Sequence, residues 1–153
     1  MTITQSVRDF ALGFPLDSVR ARYQRSQDLS AAVALLHERE LKRYLLLCAT
    51  HSDVSLPISP AIDDLWHEFV LHTRDYAAFC SGLTGGFIHH VPMTADDSRA
   101  AVAHRYALLL RFYEEEFGES PPADVWRRSG AGGSLLNDCD SDVELADCAS
   151  ESE

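Results

Sequence analysis

Between Ser59 and Pro92 the chain concentrates the side chains best suited to ionise or bind metal near neutral pH: Asp63, His67, His72, His89 and His90. Asp63 lies four residues before His67, so on a helix the two are neighbours. A carboxylate beside an imidazole fixes its tautomer and raises its basicity, which serves metal binding and general-base chemistry alike. His72 lies five residues beyond His67, about 140° around a straight helix. The two histidines therefore do not form the i,i+4 pair of a zincin. His89 and His90 follow Gly85 and Gly86, whose freedom lets the chain fold back onto the helix. Adjacent side chains of an extended segment point to opposite sides. At most one of His89 and His90 should then meet His67.

The candidate metal ligands are accordingly Asp63, His67, His89 and His90. Imidazoles with a carboxylate suit a divalent transition metal such as zinc, copper or iron, although the spacing matches no standard zinc pattern. No catalytic residue and no organic cofactor site is assigned. There is no phosphate loop, serine-nucleophile motif or dinucleotide fingerprint. A purely structural account of the same residues exists: Asp63 would serve its helix dipole, and the histidines would bond to Asp63 and to backbone.

These residues need a helical frame. Residues 5–12 predict a short helix ending near Gly13, and Pro15 opens a second with Val19 and Tyr23. From Ser30 to Thr50 the apolar residues Val33, Leu36, Tyr44 and Leu47 recur at helical spacing, interrupted by Glu40, with Ser30 as N-cap. After a loop at 51–59, Ser59 caps and Pro60 opens a helix expected to run to about Ser81. Ile62, Leu65, Trp66, Phe69, Thr73, Tyr76 and Cys80 share about 100° of its arc. Residues 83–93 predict a loop carrying Phe87-Ile88-His89-His90-Val91-Pro92. Thr94 and Asp97 resemble a capping box for a last long helix, Ala95 to Phe117. The expectation is an all-α, single-domain bundle of about five helices over residues 1–128, with its core motif at 59–92 and a His-His-x-Pro loop. Residues 129–153 form an acidic tail expected to be disordered.

The formal net charge of −11 is uneven: residues 134–153 hold seven acids and no Lys or Arg, leaving 17 acids against 13 bases elsewhere. Without a basic patch, nucleic acid and anionic membrane are poor partners. A protein partner remains open, and the acidic tail is one place to recruit it. No run reaches the roughly 18 apolar residues of a membrane span, and no signal layout opens the chain, so a cytoplasmic location is expected. In that compartment Cys48, Cys80, Cys139 and Cys148 are expected as thiols.

The segment also resembles the glycine-rich domain-containing protein-like family of plants and bacteria. The resemblance rests on Ser59-Pro60, Asp63 with Trp66-His67, Leu71, Thr73, Tyr76, Phe79-Cys80, and Gly86 with Ile88-His89-His90-Val91-Pro92; the run Glu40 to Leu47 also matches. It covers about residues 30–117. It implies a small helical domain and singles out Asp63, Trp66, His67, Tyr76, His89 and His90, without supplying a reaction. Two functions of different class follow. One is a metal-binding or acid–base site. The other is a non-catalytic interaction module in which the Trp-His and His-His motifs only pack.

Overall fold

The computed structural model describes residues 3–92, 98–127 and 146–151, with Pro92 and the last segment described by backbone alone. Six helices form an all-α domain: α1 (Gln5–Gly13), α2 (Asp17–Ser26), α3 (Ala31–Thr50), α4 (Pro60–Leu71), α5 (Thr73–Thr84) and α6 (Arg99–Phe117). Two short strands, β1 (Phe87–Pro92) and β2 (Ala146–Glu151), pair antiparallel. No helix among the described residues is long and apolar enough to cross a membrane.

The centre is α3. Leu45, Leu46 and Leu47 are consecutive and all fully buried, so this helix has neighbours on every side. The other five helices pack against it. Its start is fixed by Ser30, whose hydroxyl accepts the Val33 N–H at 3.2 Å. Glu40, the expected interruption of the stripe, is itself fully buried. Its carboxylate accepts from Trp126 Nε1 and from Tyr113 Oη, both at 2.9 Å. Val33 by contrast is 38% exposed.

The expected helix from Pro60 to Ser81 is two helices. At His72 the backbone turns out of the α region (φ −82°, ψ 68°), and its N–H bonds to the carbonyl of Phe69 rather than Glu68. The ring compensates: Nδ1 donates to the Glu68 carbonyl at 2.9 Å. A histidine at this position thus satisfies the acceptor that the break would orphan. Past the break Thr73 is exposed, while Tyr76, Phe79 and Cys80 are buried. Helix α5 then ends at Gly85, whose φ of +75° is the left-handed cap that glycine adopts without strain.

Three further expectations change. The predicted loop at 83–93 contains β1, because Ile88 is anchored from the core and β2 supplies ladder partners. The last helix begins at Arg99, where the Ser98 hydroxyl accepts the Ala101 N–H at 3.1 Å; Thr94 and Asp97 lie outside the described residues. Arg128 and, in the acidic tail, 129–145 and 152–153 also lie outside them, while 146–151 is strand. Cys80 is a free buried thiol, but Cys48 is disulfide-bonded. Sequence distance gave no sign of that pairing, because only the fold decides which sulfurs meet.

Helix α1 lies on α5 through Phe10, whose ring stacks on Phe79 at 6.3 Å. A Cβ at Gly82 would stand 2.2 Å from the Phe10 ring. Phe10 is 37% exposed, so its ring can swing aside at the expense of this contact. Gly82→Ala gains helix propensity but overpacks the seam, for an expected net loss of about 1 kcal/mol. Urea unfolding measures it, and a stabilised variant would show that the ring moves freely.

Burial also sets a pH dependence. His37 is 9% exposed, with Nδ1 bonded to Tyr23 Oη at 2.7 Å. Desolvation pushes its imidazole below the ordinary 6.5, against a smaller upward pull from Glu40. The neutral form is the one the fold favours. Its stabilisation is therefore complete above the unfolded value and is lost as pH falls through the folded one. Tm should decline as pH drops from about 6.5 toward 5, and less steeply in His37→Gln. Burial lowers His51 in the same way, so some slope persists in the variant. An unchanged slope would remove His37 from the account.

Candidate metal centre

The site is assembled from α4 and β1. Ser59 holds the N-cap position of α4 with extended backbone, but its hydroxyl makes no capping bond; Pro60 at the first turn starts the helix instead. Four residues on, Asp63 points its carboxylate toward β1, and the next turn presents His67. The Nδ1 of His67 donates to the Asp63 carbonyl at 2.8 Å and lies 3.4 Å from Oδ1 of the same residue. A carbonyl can only accept, so the proton sits on Nδ1 and the neutral ring keeps its lone pair on Nε2.

Strand β1 is placed by three core residues. Trp66 Nε1 donates to Tyr76 Oη at 3.0 Å, and Tyr76 Oη donates in turn to the Ile88 carbonyl. Cys80 bonds to the backbone of Ile88 and to Tyr76. Burial raises both the Tyr76 phenol and the Cys80 thiol, so both groups are held neutral in the core. With Ile88 pinned inward, the period-two alternation of the strand decides the rest. His90 reaches α4, and His89 stands beside Phe87 with ring centroids 5.0 Å apart.

The His90 ring lies 4.3 Å from Trp66 and 4.3 Å from His67, centroid to centroid. Its Nε2 bonds to Asp63 Oδ1. Asp63, His67 and His90 each bring one ligand atom within 4.8 Å of the others. The side chains of Asp63 and His90 are 12% and 11% exposed, that of His67 62%. Two ligands are thus held in the protein and the third faces water. Around a tetrahedral ion, ligand atoms about 2 Å from the metal lie roughly 3.3 Å apart, a spacing that a small side-chain movement would give the trio.

Of the four ligands expected from sequence, the structure brings together Asp63, His67 and His90 and leaves His89 outside the group. His72, spaced wrongly for the pair, is committed to the Glu68 carbonyl. Asp64, on the flank, has its carboxyl raised by partial burial and by the Asp63 charge, against a smaller opposing effect of His67. Sequence reading missed the buried acceptor Glu40 and the role of Tyr76 in setting the strand. The sole available signal was that each is a polar group at a core position of its helix. A cleft of about 340 Å³ beside α3, lined by Leu12, Glu38, Arg39, Lys42 and Arg43, lies away from the histidines. Its cations are paired, Lys42 with Glu38, Arg39 with Glu40 and Arg43 with Glu119.

A family model described as UCP032817-like matches residues 4–115. This corrects the resemblance to glycine-rich domain-containing proteins. The shared residues Trp66, Tyr76, Cys80 and Ile88 are core packing, and a packing signature is weaker evidence of family than a match over the helical domain. No curated protein and no solved structure matches the chain.

Proposed function

The chain belongs to the UCP032817-like family, and from its own site we propose that it is a metal-binding domain in which Asp63, His67 and His90 hold a divalent transition ion. The observation that carries this is the convergence of one carboxylate and two imidazoles from α4 and β1. Two histidines and one carboxylate form a ligand set used by zinc and by non-haem iron, with positions left for water or a small ligand. The ion would take the place of the hydrogen bond between His90 Nε2 and Asp63 Oδ1, the ring proton of neutral His90 then residing on Nδ1, and binding should weaken at acid pH as protons compete for the imidazoles. The carbonyl of Asp63 orients His67 as an outer-shell acceptor orients a ligating imidazole.

The test uses tag-free protein titrated with zinc, copper(II) or iron(II) by calorimetry. Wild type should bind one equivalent, and Asp63→Ala or His90→Ala should lose at least about 100-fold in affinity, more than the 10–100-fold typical of outer-shell changes. His67→Ala should also weaken binding. Because its ring is mostly exposed, it should leave the Tm of metal-free protein nearly unchanged. Wild type that takes up none of the three ions would defeat the proposal. So would a His67→Ala variant that unfolds several degrees earlier without metal yet binds normally.

A further inference from the structure

The C-terminal strand bears on this centre. Cys48, on α3, is 1% exposed and disulfide-bonded, and Cys80 is free. Of the four cysteines, only Cys139 and Cys148 remain as partners. The backbone of β2 packs against α3 as well as pairing with β1, and its register sets Cys148 opposite His90. A six-residue strand in a two-stranded ribbon has little stability of its own. A bond that closes a loop of roughly 100 residues restricts the unfolded chain strongly.

We propose that Cys148 is the partner of Cys48, and that this cross-link is a redox-sensitive strap holding β2 along β1 and so fixing the strand that carries His90. A cellular dithiol opens it. Its thiolate attacks the tail sulfur, because Cys48 is shielded, and Cys48 leaves as a thiolate. The second thiol of the dithiol then resolves the mixed disulfide and frees Cys148. The dithiol loses two protons and two electrons and becomes a disulfide; the strap gains both as two thiols. Once open, β1 loses its ladder partner and keeps the hold of Tyr76 and Cys80 on Ile88 and the bond of His90 to Asp63. Disulfides persist in oxidising compartments, and in the cytosol they are mostly transient and redox-sensing; a strap of this kind reads that difference.

Peptide mapping of the oxidised full chain under non-reducing conditions should yield a Cys48–Cys148 peptide. A Cys48–Cys139 peptide overturns the assignment. Amide exchange at His89 and Val91, whose N–H groups face β2, should accelerate at least about tenfold on dithiol treatment, the expected result of removing the strand that protects them. Unchanged exchange overturns the strap. Cys148→Ser should match the reduced protein and Cys139→Ser the oxidised wild type, with far-UV dichroism confirming that both fold. The effect on the metal centre rests on the reading above: zinc should bind about tenfold more weakly to Cys148→Ser, the lower end of outer-shell losses. Equal affinity in the two variants overturns that link. If wild type binds none of zinc, copper(II) and iron(II) the metal reading fails by itself, since mapping and exchange involve no ion.

Discussion

Glu40→Ala should destabilise the domain by about 3–5 kcal/mol, the expected result of leaving two buried donors without their acceptor at about 1–3 kcal/mol each. The carboxylate is fully buried. Oε2 accepts from Tyr113 Oη and Trp126 Nε1, each at 2.9 Å, and Oε1 accepts from Arg39 Nε at 3.0 Å. Tyr113 Oη also accepts from Arg43 at 2.7 Å. One side chain thereby ties α3 to α6 and to the segment around Trp126. Truncation leaves the indole N–H and the phenol without their acceptor, and both are buried. Arg39 is half exposed and regains water, so the loss comes from the aromatic donors rather than from the ion pair. Glu40→Gln keeps an acceptor and should lose only about 1–2 kcal/mol. Chemical denaturation of the three proteins decides. A loss under about 1 kcal/mol for the alanine variant would mean that water enters and replaces the carboxylate.

The same residue shows what a sequence reveals and what it withholds. An acid within an apolar stripe is visible, and it reads as an interruption. Its partners lie 73 and 86 residues away, and no local pattern announces them. Local chemistry was legible: Ser30 as a cap, Pro60 at a helix start, Gly85 as the cap of α5, and the Asp63–His67 neighbour pair follow from short-range geometry. The continuous helix through His72 was misread because the ring that repairs the break looks like any other histidine on a helix face. The choice between His89 and His90 stayed open for a related reason. Alternation says that they oppose each other, but not which one faces α4. That is settled by the bond from Tyr76 to the Ile88 carbonyl, a long-range contact. The disulfide at Cys48 has the same character.

Trp66→Ala should be the most damaging change near the proposed metal centre, at about 3–5 kcal/mol of stability. The side chain is fully buried, packs edge-on to Tyr44 with centroids 5.7 Å apart, and lies under His90. Its loss opens a cavity between α3 and α4, removes the surface on which the His90 ring rests, and takes the indole N–H from Tyr76. Tyr76→Phe isolates the last effect. It leaves the Ile88 carbonyl and the Trp66 N–H unpaired in the core, at an expected cost of about 1–3 kcal/mol with little change in volume. The two variants separate packing from positioning. If the strand is held chiefly by the hydroxyl, Tyr76→Phe should weaken zinc binding nearly as much as Trp66→Ala despite the smaller loss of stability. If the indole surface holds the imidazole, affinity should follow Trp66 and be close to wild type in Tyr76→Phe. Unfolding of metal-free protein, with zinc titration well below each variant's Tm, keeps the two effects apart. A Trp66→Ala protein of wild-type stability would contradict the packing described, since the Trp66 ring contacts both Tyr44 and His90.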